Sequence, residues 1–290
     1  MFAVCLAALA LVALPTWAGE QIVAIDAQAE FGSMGSEREQ AMLLAVIRES
    51  QAILPDRLDQ TRKELLAEFM QARHEKYILS YSQLAGTNPQ ERMWQVQVNT
   101  KALTSLLKDL GVYYTIKDSL AYRLKLLSED DRGRGRITEL ETLSGCTRDN
   151  VQFPELRVQS TSEGSWNGRL KSQDQTWTAS QKNLDDLWVT LWSNFFSHPE
   201  NILPFVQSLD IRIHGWSTIS AISGFSKRIQ SWTQMVDRVS LLQITGDSQG
   251  LHGRWQILTP KRDTLEERLD RYTQSRGLDW KLQEGESEAD

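Results

Sequence analysis

The chain of 290 residues is poor in cysteine. Its two cysteines are Cys5 and Cys146, and Cys5 lies in an N-terminal segment that we expect to be removed. The mature chain would keep Cys146 alone, which excludes an internal disulfide. Because no histidine is close to it in sequence, Cys146 is predicted to be a small buried residue rather than a nucleophile.

Motifs of catalysis and metal binding are also missing. There is no HExxH or CxxC motif, and the serine of the segment 164–168, GSWNG, stands one place early for a nucleophile elbow. Asp185 and Asp186 stand in the first turn of a predicted helix, where carboxylates complement the positive helix end, so we favour that role over a catalytic pair. No metal-binding helical spacing relates the four histidines, which are His74, His198, His214 and His252. We therefore predict no catalytic residue, no cofactor, no metal and no enzyme activity.

The chain lacks an excess of positive charge. Its formal net charge is −6 and its isoelectric point is about 5.4, which argues against a nucleic-acid partner because such a surface needs clustered Lys and Arg. Part of the acidity lies in residues 284–290, which we predict to be a solvated, disordered tail.

The first 18 residues, MFAVCLAALALVALPTWA, contain no charge. An apolar run over residues 2–14 and a small-residue ending at Ala18 are typical of a signal peptide cleaved before Gly19, and a buried N-terminal helix is the alternative. The run is shorter than the roughly 20 apolar residues of a spanning helix, and no later segment reaches that length. Because no Lys or Arg precedes the run, we expect the natural start to lie upstream of Met1.

What is present is an alternation of strand and helix patterns in three modules, residues 19–112, 113–198 and 199–283, which predicts an α+β fold. The first module begins with an alternating strand, Gln21 to Phe31, and Ser36 with Glu39 then forms a capping box. Two helices follow, then strands from Lys76 to Leu84 and around Trp94-x-Val96-x-Val98, and a helix that stops at Gly111. The predicted order is β-α(α)-β-β-α.

Several of these segments resemble the N-terminal module of flagellar assembly protein T and of related bacterial envelope lipoproteins. They are the early strand, the helix with Ala41 and Ala45, the run KYILSY at residues 76–81, WQVQV at residues 94–98 and the Leu-rich helix ending at Gly111. Where that family often has glycine before the tyrosine, this chain has Lys76. The resemblance covers the first module only and implies a periplasmic protein whose partners belong to a flagellar or secretion-type assembly.

In the middle module, residues 113–127 are mostly strand-like, and an Arg–Gly loop is predicted at residues 131–136, DRGRGR. Arg134 and Arg136 of this loop could bind an anion, although it lacks the GK[ST] ending of a phosphate loop and residues 129–131 are acidic, so a solvated loop is the alternative. A short helix at residues 137–143, three strands at residues 156–159, 165–170 and 175–180, and a helix from Leu184 to Phe196 complete the module.

Four tryptophans of this module invite two interpretations. Trp166 and Trp177 lie on adjacent predicted strands, where they could form a sugar-binding platform or simply pack as a cross-strand pair. Trp188 and Trp192 recur at the apolar spacing of the helix, which favours burial in the core.

The last module repeats the β-α-β-β-α order, and Trp94-x-Val96-x-Val98 has its counterpart in Trp255-x-Ile257. We therefore predict a non-catalytic periplasmic assembly protein that acts through protein–protein contacts in an envelope machine such as the flagellar basal body. The alternative is a protein that binds or modifies cell-wall glycans, with peptidoglycan as its partner and Trp166 and Trp177 as its platform.

Overall fold

The computed structural model describes residues 19–26, 36–85, 91–127, 131–162, 164–247 and 250–283. Within these ranges, eight α-helices and twelve strands in three sheets confirm the α+β class. No helix of these ranges is long and apolar enough to cross a membrane. The predicted signal peptide, residues 1–18, and the predicted tail, residues 284–290, lie outside the described residues.

The first module has the predicted order of elements. They are β1 (Glu20–Asp26), α1 (Glu37–Ile53), α2 (Gln60–Gln71), a 3-10 turn (His74–Tyr77), β2 (Ile78–Leu84), β3 (Glu91–Val98) and α3 (Thr100–Asp109). The predicted cap is confirmed, because the Glu39 amide donates to the Ser36 hydroxyl at 3.2 Å. The sheet is antiparallel with the order β1-β3-β2.

The middle module contains a five-stranded sheet of order β5-β4-β6-β7-β8. Its elements are β4 (Leu120–Leu126), α4 (Asp131–Ser144), β5 (Cys146–Arg148), β6 (Glu155–Ser160), β7 (Trp166–Lys171), β8 (Thr176–Gln181) and α5 (Leu184–Phe196). α5 has the predicted bounds, and Trp188 and Trp192 on it are buried as predicted. Cys146 is buried too, which confirms the expectation for that residue.

Two local predictions for this module are wrong. Residues 113–119 do not form a strand: the amides of Tyr114 and Thr115 donate to the Gly111 carbonyl, which makes them a turn that closes α3. The predicted Arg–Gly loop at residues 131–136 is the start of α4. Gly133 is required there by packing, since a Cβ at this position would lie 2.4 Å from the Trp166 ring. The glycine that suggested a loop therefore serves a close helix–strand contact.

The last module repeats the arrangement of the first. Its elements are β9 (Gln207–Trp216), α7 (Ile219–Gln230), β10 (Arg238–Asp247), β11 (Gly250–Thr259), α8 (Arg262–Gln274) and β12 (Asp279–Leu282), joined to α5 by the short α6 (Pro199–Ile202) and a 3-10 turn (Leu203–Phe205). The sheet order is β10-β11-β9-β12. The third strand of the module, β11, lies between the first and the second, β9 and β10, just as β3 lies between β1 and β2. Trp94 and Trp255 stand on the corresponding strands β3 and β11. The edge strand β12 was not predicted.

The apolar side chains form two cores. One continuous cluster runs from Val23 to Ile202 and so crosses the predicted boundary at residue 112, while the second runs from Leu209 to Leu269. Buried Arg62 joins α2 to the middle module, because it donates to the carbonyls of Leu143 and Thr115 at 3.0–3.2 Å. Burial lowers the pKa of Arg62. The first two modules are therefore one packed unit.

Polar contacts hold the last module against this unit. The Asp237 carboxylate accepts from Lys108 Nζ and from the Tyr114 hydroxyl, each at 2.7 Å. Lys261 Nζ donates to the Ile53 carbonyl at 2.6 Å, and burial lowers the pKa of Lys261 to about 8. These polar contacts lie at the junction between the two separate cores.

Candidate functional site

The middle sheet has one face covered by α5 and one face open to solvent. The covered face is apolar, and Gly168 on it lets α5 approach so closely that a Cβ would lie 2.6 Å from Leu191 Cδ1. Because side chains alternate along a strand, the residues between the buried positions point to the other side. On β6 and β7, those residues are the exposed Arg157, Gln159, Asn167, Arg169 and Lys171.

Five cationic side chains collect on this open face, which we call the basic face: Arg123, Lys125, Arg157, Arg169 and Lys171. Strand register arranges them in two rows. In one row Lys125 of β4 stands opposite Arg157 of β6, which stands opposite Arg169 of β7. Like charges directly opposite each other are destabilising in a sheet unless a carboxylate beside them compensates the charge.

The second row contains a carboxylate. Glu155 of β6 stands between Arg123 of β4 and Lys171 of β7. It accepts from Lys125 Nζ at 2.7 Å and from Arg157 Nε at 2.7 Å, and Arg123 lies 3.8 Å away. The hydrogen bond from Lys125, with that from Arg157, lowers the pKa of Glu155. Glu155 therefore stays ionised and holds Lys125 and Arg157 in place. Its one negative charge does not neutralise the five cations of the basic face.

Two adjoining grooves run across the basic face. The larger, of about 490 Å³, is lined by Arg157, Arg169, Asn167 and Thr178, with Leu127 at its edge. The smaller, of about 240 Å³, shares Arg157 and Arg169 with it and extends to Arg123, Phe153 and Lys171. The Lys171 ammonium stands 5.0 Å from the centre of the Phe153 ring, an apolar wall beside the charges. Cations with neighbouring amide and hydroxyl groups suit the capture of an anionic partner.

The arginines singled out from the sequence do not belong to this face. Arg136 on α4 donates to both oxygens of Asp185 at 2.8 and 2.9 Å, and it also contacts Glu139 and Glu68. The hydrogen bond with Asp185 raises the pKa of Arg136. Arg134 is exposed on the same helix. The guanidinium of Arg136 is thus already occupied by carboxylates of the chain itself.

Asp185 has a further partner that the sequence did not indicate. Arg73 donates to Asp185 at 3.2 Å and to Asp186 at 3.1 Å. The two aspartates do stand in the first turn of α5, where the Asp186 amide donates to the Asn183 side chain at 2.8 Å. They also link α5 to α4 through Arg136 and to the turn after α2 through Arg73, which is a structural role.

Trp166 and Trp177 lie on the covered side of the middle sheet. Trp166 packs against Gly133 of α4, and Trp177 meets Phe195 of α5 edge to face with ring centres 6.3 Å apart. Both indoles are half-buried and packed against the core. They stand apart from the basic face and do not present a shared open surface with it.

The basic face has a signal in the sequence, a short tripeptide that occurs on two separate strands, which sequence reasoning missed. The tripeptide Arg-Leu-Lys occurs at residues 123–125 on β4 and again at residues 169–171 on β7. In each copy the leucine faces the core while the two cations face outward, as strand alternation requires. These two strands flank β6, so pairing brings the two copies together with Arg157.

Within the described ranges, no group of three or more His, Cys, Asp or Glu residues could hold a metal ion. Comparisons with protein-family models, with curated proteins and with solved structures gave no match for the chain.

Proposed function

We propose that this protein is a non-catalytic component of a bacterial envelope assembly, and that it holds an acidic segment of a partner protein on the basic face. The observation that carries this proposal is the row of Lys125, Arg157 and Arg169 in register across three strands. Glu155 already contacts Lys125 and Arg157, and an anionic partner would offset the positive charge that Glu155 leaves uncompensated. Because the net charge of the chain is −6, a negatively charged partner would be attracted to this cationic face and repelled by most of the remaining surface.

The shape of the face supports a polypeptide partner. Its two grooves adjoin at Arg157 and Arg169 and together extend across the strands, so they suit an extended segment. Exposed Asn167, Gln159 and Thr178 supply hydrogen-bond groups beside the cations for the amide groups of such a segment. The resemblance of the first module to flagellar assembly protein T makes basal-body or secretion-type machinery the class of assembly that we propose.

Binding of a labelled oligo-glutamate peptide, measured by fluorescence anisotropy, tests the proposed surface. The variant Arg157→Glu/Arg169→Glu should weaken binding by about tenfold or more, equivalent to about 1.4 kcal/mol. Lys63→Glu/Lys101→Glu is a matched control, because both lysines are exposed on helices of the first module and the change in net charge is the same. Binding should also weaken with added salt, since exposed charges are screened beyond about 10 Å at 0.1 M.

Equal losses in the two double variants would contradict the proposal, because the effect would then be one of net charge alone. Sedimentation with insoluble peptidoglycan provides the second arm. If the wild-type chain sediments with peptidoglycan but does not bind the peptide, the glycan alternative replaces the acidic-segment proposal.

Export to the periplasm is part of the same proposal. The fold is compatible with cleavage before Gly19, because β1 begins at Glu20 and the Gly19 carbonyl accepts from the Val98 amide at 2.6 Å. N-terminal sequencing of the chain recovered from a periplasmic fraction should therefore begin at Gly19. Recovery only from the cytosol, with residues 1–18 retained, would contradict export.

A further inference from the structure

A second group of cations lies in the last module, in the groove between α7 and α8. The groove measures about 430 Å³, and three arginines line it: Arg228 from α7, and Arg268 and Arg271 from α8. All three side chains are exposed. This module has its own core, so the groove is separate from the basic face of the middle sheet.

The arginines of this groove have little compensating charge from the chain. Within the part of the chain that the structure describes, no carboxylate lies within 4.0 Å of the Arg228 or Arg268 guanidinium. Arg271 contacts Glu267 at 3.4 Å, but both side chains are 70% exposed, so the pair is weak. Partial burial and the charges of Arg228 and Arg271 lower the pKa of Arg268. The three guanidiniums therefore repel each other in the free protein.

One of the three arginines is positioned by an aromatic ring. The Arg268 guanidinium carbon lies 4.7 Å from the centre of the Trp232 ring, an attractive cation–π geometry. Trp232, Met235 and Tyr272 line the groove, and because Trp232 and Met235 are buried, half-buried Tyr272 offers most of the accessible apolar surface. The groove therefore has a cationic part that can bind a compact anion and an apolar part that can contact the carbon skeleton attached to that anion.

We infer that the groove between α7 and α8 binds an organic phosphate, with the phosphate group on Arg228, Arg268 and Arg271 and the attached carbon skeleton against Tyr272. Arginine favours phosphate because its planar fork donates two parallel hydrogen bonds to a pair of phosphate oxygens. The three guanidiniums line one groove of about 430 Å³, which suits a compact anion, whereas an extended acidic peptide needs cations spread along a line. The ester can come from a soluble metabolite or from a phospholipid headgroup, which share this chemistry.

Isothermal titration calorimetry with glycerol 3-phosphate tests the site on the full mature chain, from Gly19 onward. We expect saturable binding with one site per chain, weakened about tenfold or more in Arg268→Gln and in Arg228→Gln. The matched control is Lys227→Gln, because Lys227 is an exposed neighbour of Arg228 on α7 that does not line the groove. That variant should bind within about twofold of wild type. Arg268→Lys keeps the charge but loses the planar fork, so it should recover only part of the affinity.

Flotation with vesicles distinguishes the two sources of the phosphate. Binding to phosphatidylglycerol vesicles, but not to phosphatidylcholine vesicles, together with loss in Arg268→Gln, identifies the lipid headgroup as the source. Binding of glycerol 3-phosphate without flotation identifies a soluble ester. The inference fails if neither probe binds, if Lys227→Gln loses as much affinity as Arg268→Gln, or if only the oligo-glutamate peptide depends on Arg228 and Arg268. Circular dichroism of each variant checks that it is folded. If Arg268→Gln does not fold, Arg228→Gln serves as the second variant, because Arg228 is exposed.

Discussion

Replacement of Trp188 by alanine tests whether α5 closes the first core. The Trp188 side chain is 1% exposed, with its ring centre 5.6 Å from that of Trp192 and 6.2 Å from that of Tyr122. Its indole N–H donates to the Ser144 hydroxyl of α4 at 2.9 Å. Loss of such a buried ring costs about 3–5 kcal/mol of unfolding free energy.

The hydrogen bond to Ser144 is separable from the packing. Trp188→Phe keeps an aromatic ring in the core but removes the N–H donor, and Ser144→Ala removes the acceptor. A double-mutant cycle between these two changes should give a coupling of about 0.5–1.5 kcal/mol, the usual net worth of one buried hydrogen bond. A coupling near zero would show that Trp188 contributes through packing alone.

The second core offers a matched control. Trp255 on β11 is fully buried, and its indole N–H donates to the Ser226 hydroxyl of α7 at 2.8 Å. Urea unfolding followed by far-ultraviolet circular dichroism should show that Trp188→Ala weakens the unit of the first two modules, while Trp255→Ala weakens the last module. If the two cores unfold in one transition, both variants shift that transition, and the losses of unfolding free energy in the two variants can still be compared. A loss below about 1 kcal/mol for Trp188→Ala would refute the core assignment and reopen the question of ligand binding by that indole.

Three further predictions concern buried polar groups. Arg62→Met leaves the carbonyls of Leu143 and Thr115 without this donor, so urea unfolding should show a loss of about 1–3 kcal/mol for each carbonyl. Burial raises the pKa of the Cys146 thiol, so in the chain from Gly19 onward a thiol reagent should label it in urea and leave it unlabelled in the native state; fast native labelling would contradict its burial. The pKa of Lys261 is about 8 when folded against 10.5 for the free side chain, so the unfolded chain holds more protons between these values. Unfolding free energy should therefore rise with pH from about 8 to 10.5, relative to Lys261→Met, and parallel pH profiles for the two proteins would contradict this.

Local patterns accounted for most of the elements. Ser36 and Glu39 mark the start of α1, and the apolar spacing from Leu184 to Phe196 marks α5, because capping and periodicity act within a few residues. The repeat of the first module in the last one was also visible, since strand order follows from the same succession of elements. The α+β class was therefore predictable.

Two glycines in the middle module made the prediction for residues 131–136 wrong. Gly133 and Gly135 favoured a loop, yet both lie in α4. Helix propensity is a weak preference, and the contact between Gly133 and Trp166, 33 residues away in sequence, overrides it. No local pattern shows which strand will approach a helix so closely.

The candidate site depends even more on pairing between distant segments. The sequence by itself determined most of the strands, the alternation that turns the cations of both Arg-Leu-Lys tripeptides outward and the buried position of Trp188. Only the tertiary structure decided that β6 would lie between β4 and β7, which places Lys125, Arg157 and Arg169 in one row. It also decided that Arg136 would meet Asp185 instead of an external anion. The physical reason is that alternation and capping are set by neighbouring residues, whereas charge compensation is set by strand register and helix packing between residues far apart in the chain.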